Sequence, residues 1–236
     1  GPEMLVFVNG KERGSIDRQH NMVELTAEAV PGEKFDILAE VYAGHGIRPE
    51  NGGLYARDAV PVPEPPKYQC IVGKSHFGVW RADIFQCYAD YHTLYELWKT
   101  MPDRELRTMK IGEALQQFTY IADFEAEEPE RSRSILRADE LLKPLLESKN
   151  GDTVPEYTIF GQSHLDLAWL WTMEETKRKS ARTYSNQIRL MERYPQYKFL
   201  LCSPPVLENI KTYYPDLYEQ IRERVRNGQF LPEGAV

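Results

Sequence analysis

From Tyr157 onward the chain repeats one pattern: a short apolar run, a long segment of helical period, then another apolar run. YTIF is followed by MEETKRKSARTYSNQIRLMERYPQY, then by KFLLCS, two shorter helical segments and QFLPEGAV. Ala181, Tyr184, Ile188 and Met191 recur at three- and four-residue steps, which places them on one face of a helix that ends at Tyr194-Pro195. Val206, Leu207 and Ile210 face inward on a short helix after Ser203-Pro204. A further helix starts at Pro215-Asp216 and stops at Asn227-Gly228. Strand, helix, strand, helix, strand in this order requires parallel pairing with right-handed crossovers. The fold class is therefore α/β over this part of the chain.

The earlier chain reads differently. Residues 4–46 look all-β. MLVFVNG is a compact apolar strand closing on the turn signal Asn9-Gly10, with KERG after it. MVELTAEAV alternates in part, Pro31-Gly32 marks a turn, and FDILAEVYAG alternates apolar and polar residues. Such spacing suits a β-sandwich-like module. His20 and His45 fall in its loops and read as surface or structural histidines. Residues 46–66 end in VPVPEPP, which neither a helix nor a central strand tolerates, so a domain boundary is placed there. Tyr68–Trp80 reads as one more strand or hairpin. Three helical stripes follow: Ile84, Tyr88, Tyr91, Tyr95 and Trp98; Ile111, Leu115, Phe118 and Ala122; and Ile135, Ala138, Leu142 and Leu145, entered through Pro129-Glu130 and closed by Asn150-Gly151. Helical spacing of this kind is what core packing requires. The expected division is 1–66, a β module with its proline-rich linker; 67–150, a strand or hairpin and a helical region; and 151–236, the start of an α/β domain.

Composition narrows the function. A net charge of −7 with no long basic block speaks against a nucleic-acid partner. Apolar runs stay well short of the ~20 residues of a membrane-spanning helix. Cys70, Cys87 and Cys202 lie far apart with no CxxC pair, so neither a disulfide framework nor a cysteine zinc site is expected. With no visible leader and no glycosylation sequon, a cytoplasmic location is expected.

The chemistry concentrates in GQSHLDLAWLW. The run Tyr157–Phe160 reads as a buried strand, and His164 and Asp166 follow at its end. Residues two apart on a strand share a face, roughly 7 Å apart along the backbone. Strand ends at the C-terminal edge are where α/β proteins place their sites. An imidazole and a carboxylate on one face make half of a zinc site. The bare triplet also fits a plain structural role, with His164 hydrogen-bonded at a strand end and Asp166 capping the next turn. A metal site needs at least one more protein ligand. Trp169 and Trp171 add rings suited to stacking on a sugar, although most tryptophans are core. Thr172 and Glu175 fit a capping box, so Glu174 and Glu175 are read as helix-start acids, not catalytic ones.

Three segments together carry a resemblance. GQSHLDLAWLW, EETKRKSARTYSNQIRLMERYPQYKF and YPDLYEQIRERVRNGQFLPEGAV resemble, in order and spacing, the start of the catalytic domain of glycoside hydrolase family 38, the α-mannosidases. VNGK and GSIDRQH are similar to the opening of the β module in the cytosolic or vacuolar-like branch. The resemblance implies the first β/α units of a parallel (β/α)-barrel-like catalytic domain, here incomplete. It implies a zinc-dependent retaining α-mannosidase acting on terminal α-mannosides of oligosaccharides. His164 and Asp166 match the first two zinc ligands, and Trp169 matches an aromatic residue packed against bound mannose. Gln162 stands where many members carry a second histidine, a position that is not a metal ligand. The family's nucleophile, itself a zinc ligand, and its acid/base carboxylate are expected beyond Val236, so this chain alone is expected to be inactive. Members often assemble, which admits a homo-oligomer. Two alternatives stay open: a non-catalytic carbohydrate-binding or interaction protein, and another metal-dependent hydrolase, which would leave the matching helices unexplained.

Overall fold

The computed structural model describes residues 3–17, 20–42, 73–149, 151, 154–169, 171–201 and 203–232. His45, Cys70, Cys202, the proline-rich linker, the first part of Tyr68–Trp80 and the final EGAV lie outside them. In chain order the elements begin with β1 (Glu3–Val8), β2 (Lys11–Ile16), β3 (Ile37–Tyr42), α1 (Ala82–Thr100), α2 (Leu106–Ile121), α3 (Glu130–Asp139) and α4 (Lys143–Leu146). They continue with β4 (Gly161–Gln162), α5 (Met173–Arg193), β5 (Phe199–Leu201), α6 (Pro204–Tyr213), α7 (Pro215–Arg226) and β6 (Phe230–Pro232). The chain forms two compact units, one of residues 1–73 with 157–236, the other of residues 74–156.

In the first unit β1 and β2 form a hairpin across Asn9-Gly10. Both turn residues have positive φ, 52° and 78°, as a tight hairpin turn demands. β3 pairs antiparallel on the other side of β1, giving the order β2-β1-β3. KERGSI is the second strand. MVELTAEAV, expected to alternate as a strand, has no regular structure from residue 21 to 30. Among the described residues this is one three-stranded sheet, and no second sheet faces it. The amphipathic α5 covers it instead: Leu5 is buried with Ala181, Tyr184 and Ile188, and Phe7 packs against the same cluster. Charged pairs frame that contact. Glu3 meets Lys179 at 2.6 Å and Arg182 at 2.9 Å, and Asn186 bonds Ser15 through both backbone and hydroxyl.

The α/β alternation is present from Gly161 onward, although the strand expected over Tyr157–Phe160 is not formed. β4, β5 and β6 lie parallel in the order β4-β5-β6, with Gly161 opposite Phe199 and Leu200 opposite Leu231. All four residues expected on the inner face of α5 are buried, as are Val206 and Ile210 of α6 and Leu217 and Ile221 of α7. Phe199 and Phe230 meet edge to face at 5.8 Å beneath Tyr184 and close the centre of this core. Among the described residues, no helix is long and apolar enough to cross a membrane.

The second unit packs α1, α2 and α3 around Cys87, Leu94, Ile111, Leu115, Phe118, Ala138 and Leu142. Ile111, Leu115, Phe118 and Ala122 are buried as their spacing requires. The stripe expected on α1 is not the buried one. Cys87 and Leu94 turn inward with Tyr91 and Leu97 beside them, while Tyr88, Tyr95 and Trp98 are exposed. Two apolar lines run along α1 and share Tyr91, so period alone does not choose between them; close helix packing favours the line with the compact side chains. Residues 73–80 have no regular structure, so the strand or hairpin expected at Tyr68–Trp80 does not form over its described part. The third stripe is split. α3 ends at Asp139 and α4 restarts at Lys143, because Pro144 has no N–H to offer the carbonyl of Glu140 and its ring would clash there. The Cys87 thiol is buried, and burial first and the nearby Asp139 carboxylate second push its pKa up to about 12, which leaves it inert as a nucleophile.

Candidate functional site

β4 is shorter than the apolar run that precedes it. Tyr157 and Ile159 are 82% and 90% exposed, so the expected buried strand over Tyr157–Phe160 is not formed. The reason lies across the sheet. β4 is an edge strand, and its only described neighbour, β5, begins at Phe199 opposite Gly161. Extended further back, β4 would face the Tyr194–Tyr197 turn that follows α5, where no ladder is on offer. Gly161 makes the remaining pairing feasible. A Cβ there would lie 2.1 Å from the Tyr197 hydroxyl oxygen and 2.9 Å from the Phe199 ring, so only glycine lets the strand approach this closely.

Beyond Gln162 the backbone leaves the sheet at its C-terminal edge, carrying His164 and Asp166 in an irregular segment. Their side chains converge: His164 Nε2 and Asp166 Oδ1 are 3.0 Å apart, with 81% and 44% of the side chains exposed. At 3.0 Å the two side chains hydrogen-bond each other directly; imidazole nitrogen and carboxylate oxygen are also donor types that zinc accepts. The count is two. Among the described residues, no group of three or more His, Cys, Asp or Glu side chains could enclose a metal.

Trp169 follows on the same segment and is half-exposed, its indole edge-on to Trp171 with centroids 5.6 Å apart. Its backbone N–H donates to the Trp171 carbonyl at 3.1 Å. A cavity of about 730 Å³ opens beside this ring, bounded by Glu40, Tyr42, Trp171, Glu174 and Arg178; His164 and Asp166 are not on its wall.

The helix that follows is capped as expected on one side: Thr172 Oγ1 accepts the Glu175 N–H at 3.3 Å. The Glu175 carboxylate turns inward to the buried guanidinium of Arg182, while Glu174 pairs with Lys177 at 2.7 Å, which holds its carboxyl below the usual range. Both acids are thus engaged in ion pairs. Outside this region, His20 is an exposed side chain paired with Asp17 at 3.0 Å, in line with a surface role. Gly161 supports the site through a sequence signal, a glycine between an apolar run and a histidine, that is legible only once Tyr197 is placed beside it.

The family model for the glycosyl hydrolases family 38 N-terminal domain matches residues 156–236. Alpha-mannosidase G of Dictyostelium discoideum is 30% identical over 236 residues, 98% of this chain and 20% of its own length. Human alpha-mannosidase 2C1 is 28% identical over 177 residues, 75% of this chain and 16% of its own length. The alpha-mannosidase of Saccharomyces cerevisiae is 33% identical over 77 residues, 32% of this chain and 7% of its own length. The chain therefore spans a fifth or less of the length of each of these relatives. Matched by the family model at the segment that carries His164, Asp166 and Trp169, and by relatives that share one printed activity, the chain belongs to glycosyl hydrolase family 38.

Proposed function

We propose that this chain supplies part of the metal and sugar grip of a zinc-dependent, retaining α-mannosidase that releases terminal α-mannosides from oligosaccharides. The observation that carries this reading is the open pair of His164 Nε2 and Asp166 Oδ1 at 3.0 Å, three residues ahead of the half-exposed Trp169. In this reading β4, β5 and β6 are the first strands of a barrel-like catalytic domain, which presents its site at the C-terminal strand ends.

When bound, zinc supplies Lewis acidity and a template for neighbouring sugar hydroxyls. His164 would hold it through Nε2, and Asp166 through Oδ1, adding a negative charge that offsets the ion's own. Trp169 offers the apolar face of its indole to the sugar ring and excludes water from that side. Retention of configuration requires two carboxyl groups about 5 Å apart. Glu174 and Glu175 are engaged with Lys177 and Arg182, so neither is assigned that work.

Calorimetric titration of the chain with zinc chloride tests the metal half, with His164→Ala and Asp166→Ala as controls. Weak heat in the parent chain, as two ligands allow, that both substitutions abolish is the expected result; equal, negligible heats in all three would sink it. Tryptophan fluorescence during titration with methyl α-mannoside in zinc tests the sugar half. Trp169→Ala should weaken that response about fivefold to tenfold, roughly the worth of one ring contact, while zinc binding persists.

A further inference from the structure

The segment between Asp166 and the first turn of α5 is tied down at the hydroxyl of Thr176. That side chain is buried, at 1% exposure, on the inner side of the helix. Its Oγ1 donates to the carbonyl of Leu167, the residue directly after Asp166, at 2.5 Å. The same oxygen accepts the indole N–H of Trp171 at 3.0 Å. A threonine hydroxyl carries one proton and two lone pairs. The proton goes to the near carbonyl of Leu167, and the Thr172 carbonyl at 3.4 Å is a distant second acceptor.

These bonds reach both ends of the segment. Leu167 fixes the backbone immediately behind Asp166. Trp171 fixes the ring against which Trp169 stands edge-on, and its carbonyl accepts the Trp169 N–H. Lys179 Nζ stands over the Trp171 ring, 4.7 Å from its centroid, and Lys179 is itself paired with Glu3 at 2.6 Å. A partly buried carbonyl and a partly buried indole N–H that share one buried hydroxyl lose that partner together when it is removed.

We propose that Thr176 is the positioning residue of the site: its hydroxyl holds Leu167 and Trp171 together and so sets where the Asp166 carboxylate and the Trp169 ring stand. The proposal rests on the metal and sugar reading above for its functional meaning, but its geometry is tested separately.

Hydrogen exchange followed by NMR on the 236-residue chain, as parent, Thr176→Val and Thr176→Ser, is the first measurement. Valine keeps the shape and deletes the hydroxyl; serine keeps the hydroxyl. Exchange of the Trp171 indole N–H and the Trp169 amide should be about tenfold faster in Thr176→Val, near parental in Thr176→Ser, and unchanged at the buried Ile188 amide in all three. Unchanged exchange at both tryptophans in Thr176→Val overturns the proposal. Should valine also speed exchange at Ile188, Trp171→Phe decides, since it removes the indole donor and leaves the helix sequence intact. Faster exchange at the Trp169 amide supports the tether, and a parental rate overturns it.

Zinc affinity is the second readout. Thr176→Val should weaken it on the order of 10–100-fold, as loss of a supporting contact behind a ligand does, with Thr176→Ser restoring it. Equal affinity in parent and Thr176→Val overturns the positioning role while leaving the metal reading standing. Absence of zinc binding in every variant, the parent included, overturns the metal reading, and the exchange rates then decide on Thr176 alone.

Discussion

Gly161 and Tyr197 occupy the same few ångströms: a methyl group on Gly161 would sit 2.1 Å from the phenol oxygen, which donates to Gln187 Oε1 at 2.7 Å. The strand that delivers His164 therefore lies against the turn that follows α5, and any Cβ at position 161 would force the Tyr197 phenol or the strand to shift. Gly161→Ala should lower stability by about 1–3 kcal/mol, the usual cost of forcing an extra methyl into a packed contact, and should weaken zinc binding in parallel. Thermal denaturation and zinc titration measure the two effects. Adding Tyr197→Phe should recover part of the loss by removing the oxygen in the way. A fully stable Gly161→Ala chain would mean that β4 can shift without cost.

Arg182 and Glu175 form a buried ion pair, and Arg182 also reaches Glu3 at 2.9 Å on β1. Deleting one partner of a buried pair strands the other charge away from water. Arg182→Met strands the Glu175 carboxylate and is expected to cost about 3–5 kcal/mol, read from urea denaturation midpoints, whereas Glu175→Gln should cost less because Arg182 keeps Glu3 at 2.9 Å. The double variant should cost less than the sum of the two, because no carboxylate is then stranded at position 175.

The two apolar lines of α1 make opposite predictions. Leu94 is buried, and Leu94→Ala should destabilise by about 2–5 kcal/mol through lost burial and the cavity left behind. Tyr88 is 61% exposed, and Tyr88→Ala should change stability by about 0.5 kcal/mol or less. A larger loss at Tyr88 than at Leu94 would place the buried line where the spacing of the aromatic residues suggested it.

Glu12 on β2 is a nearly buried carboxylate whose Oε2 has no hydrogen-bond partner among the described residues. Burial raises its pKa above 4.5, and the Asp216 carboxylate adds to the rise, against a hydrogen bond to its own backbone that lowers it. The folded chain then binds this proton more tightly than the unfolded chain, so stability falls as pH rises from about 4.5 through the folded value. Glu12→Gln should stabilise the chain at pH 7 by on the order of 1 kcal/mol, and the advantage should shrink toward acid pH. Denaturation midpoints of the two chains between about pH 4 and pH 7 check this. An advantage that is constant with pH would show that charge is not the cause.

Periodicity carried far where one face of an element is polar. On α5 the charged residues leave one apolar line, and Ala181, Tyr184, Ile188 and Met191 are all buried on it. Where two lines compete, as on α1, the pattern is degenerate and the neighbouring helices decide. In the β module, KERGSI has little apolar character and escapes a hydropathy reading. Its pairing comes from the Asn9-Gly10 turn and the ladder to β1, with Gly14 opposite Val6. Glu175 shows the limit for polar residues: its position in the sequence suits a helix cap, while its carboxylate lies buried against Arg182 seven residues on.

The alternation beyond Gly161, the inner face of α5 and the family resemblance were legible in the chain read locally, because period, turn residues and motif spacing are local properties. The chain order also sets His164 and Asp166 two residues apart. That β4 shrinks to Gly161–Gln162, that a helix rather than a second sheet covers β1, and that the imidazole and carboxylate meet at 3.0 Å emerge only from the packed chain. Those outcomes depend on what lies opposite: the start of β5, the Tyr197 hydroxyl and the apolar face of α5, none of which is adjacent in sequence to the residues it constrains.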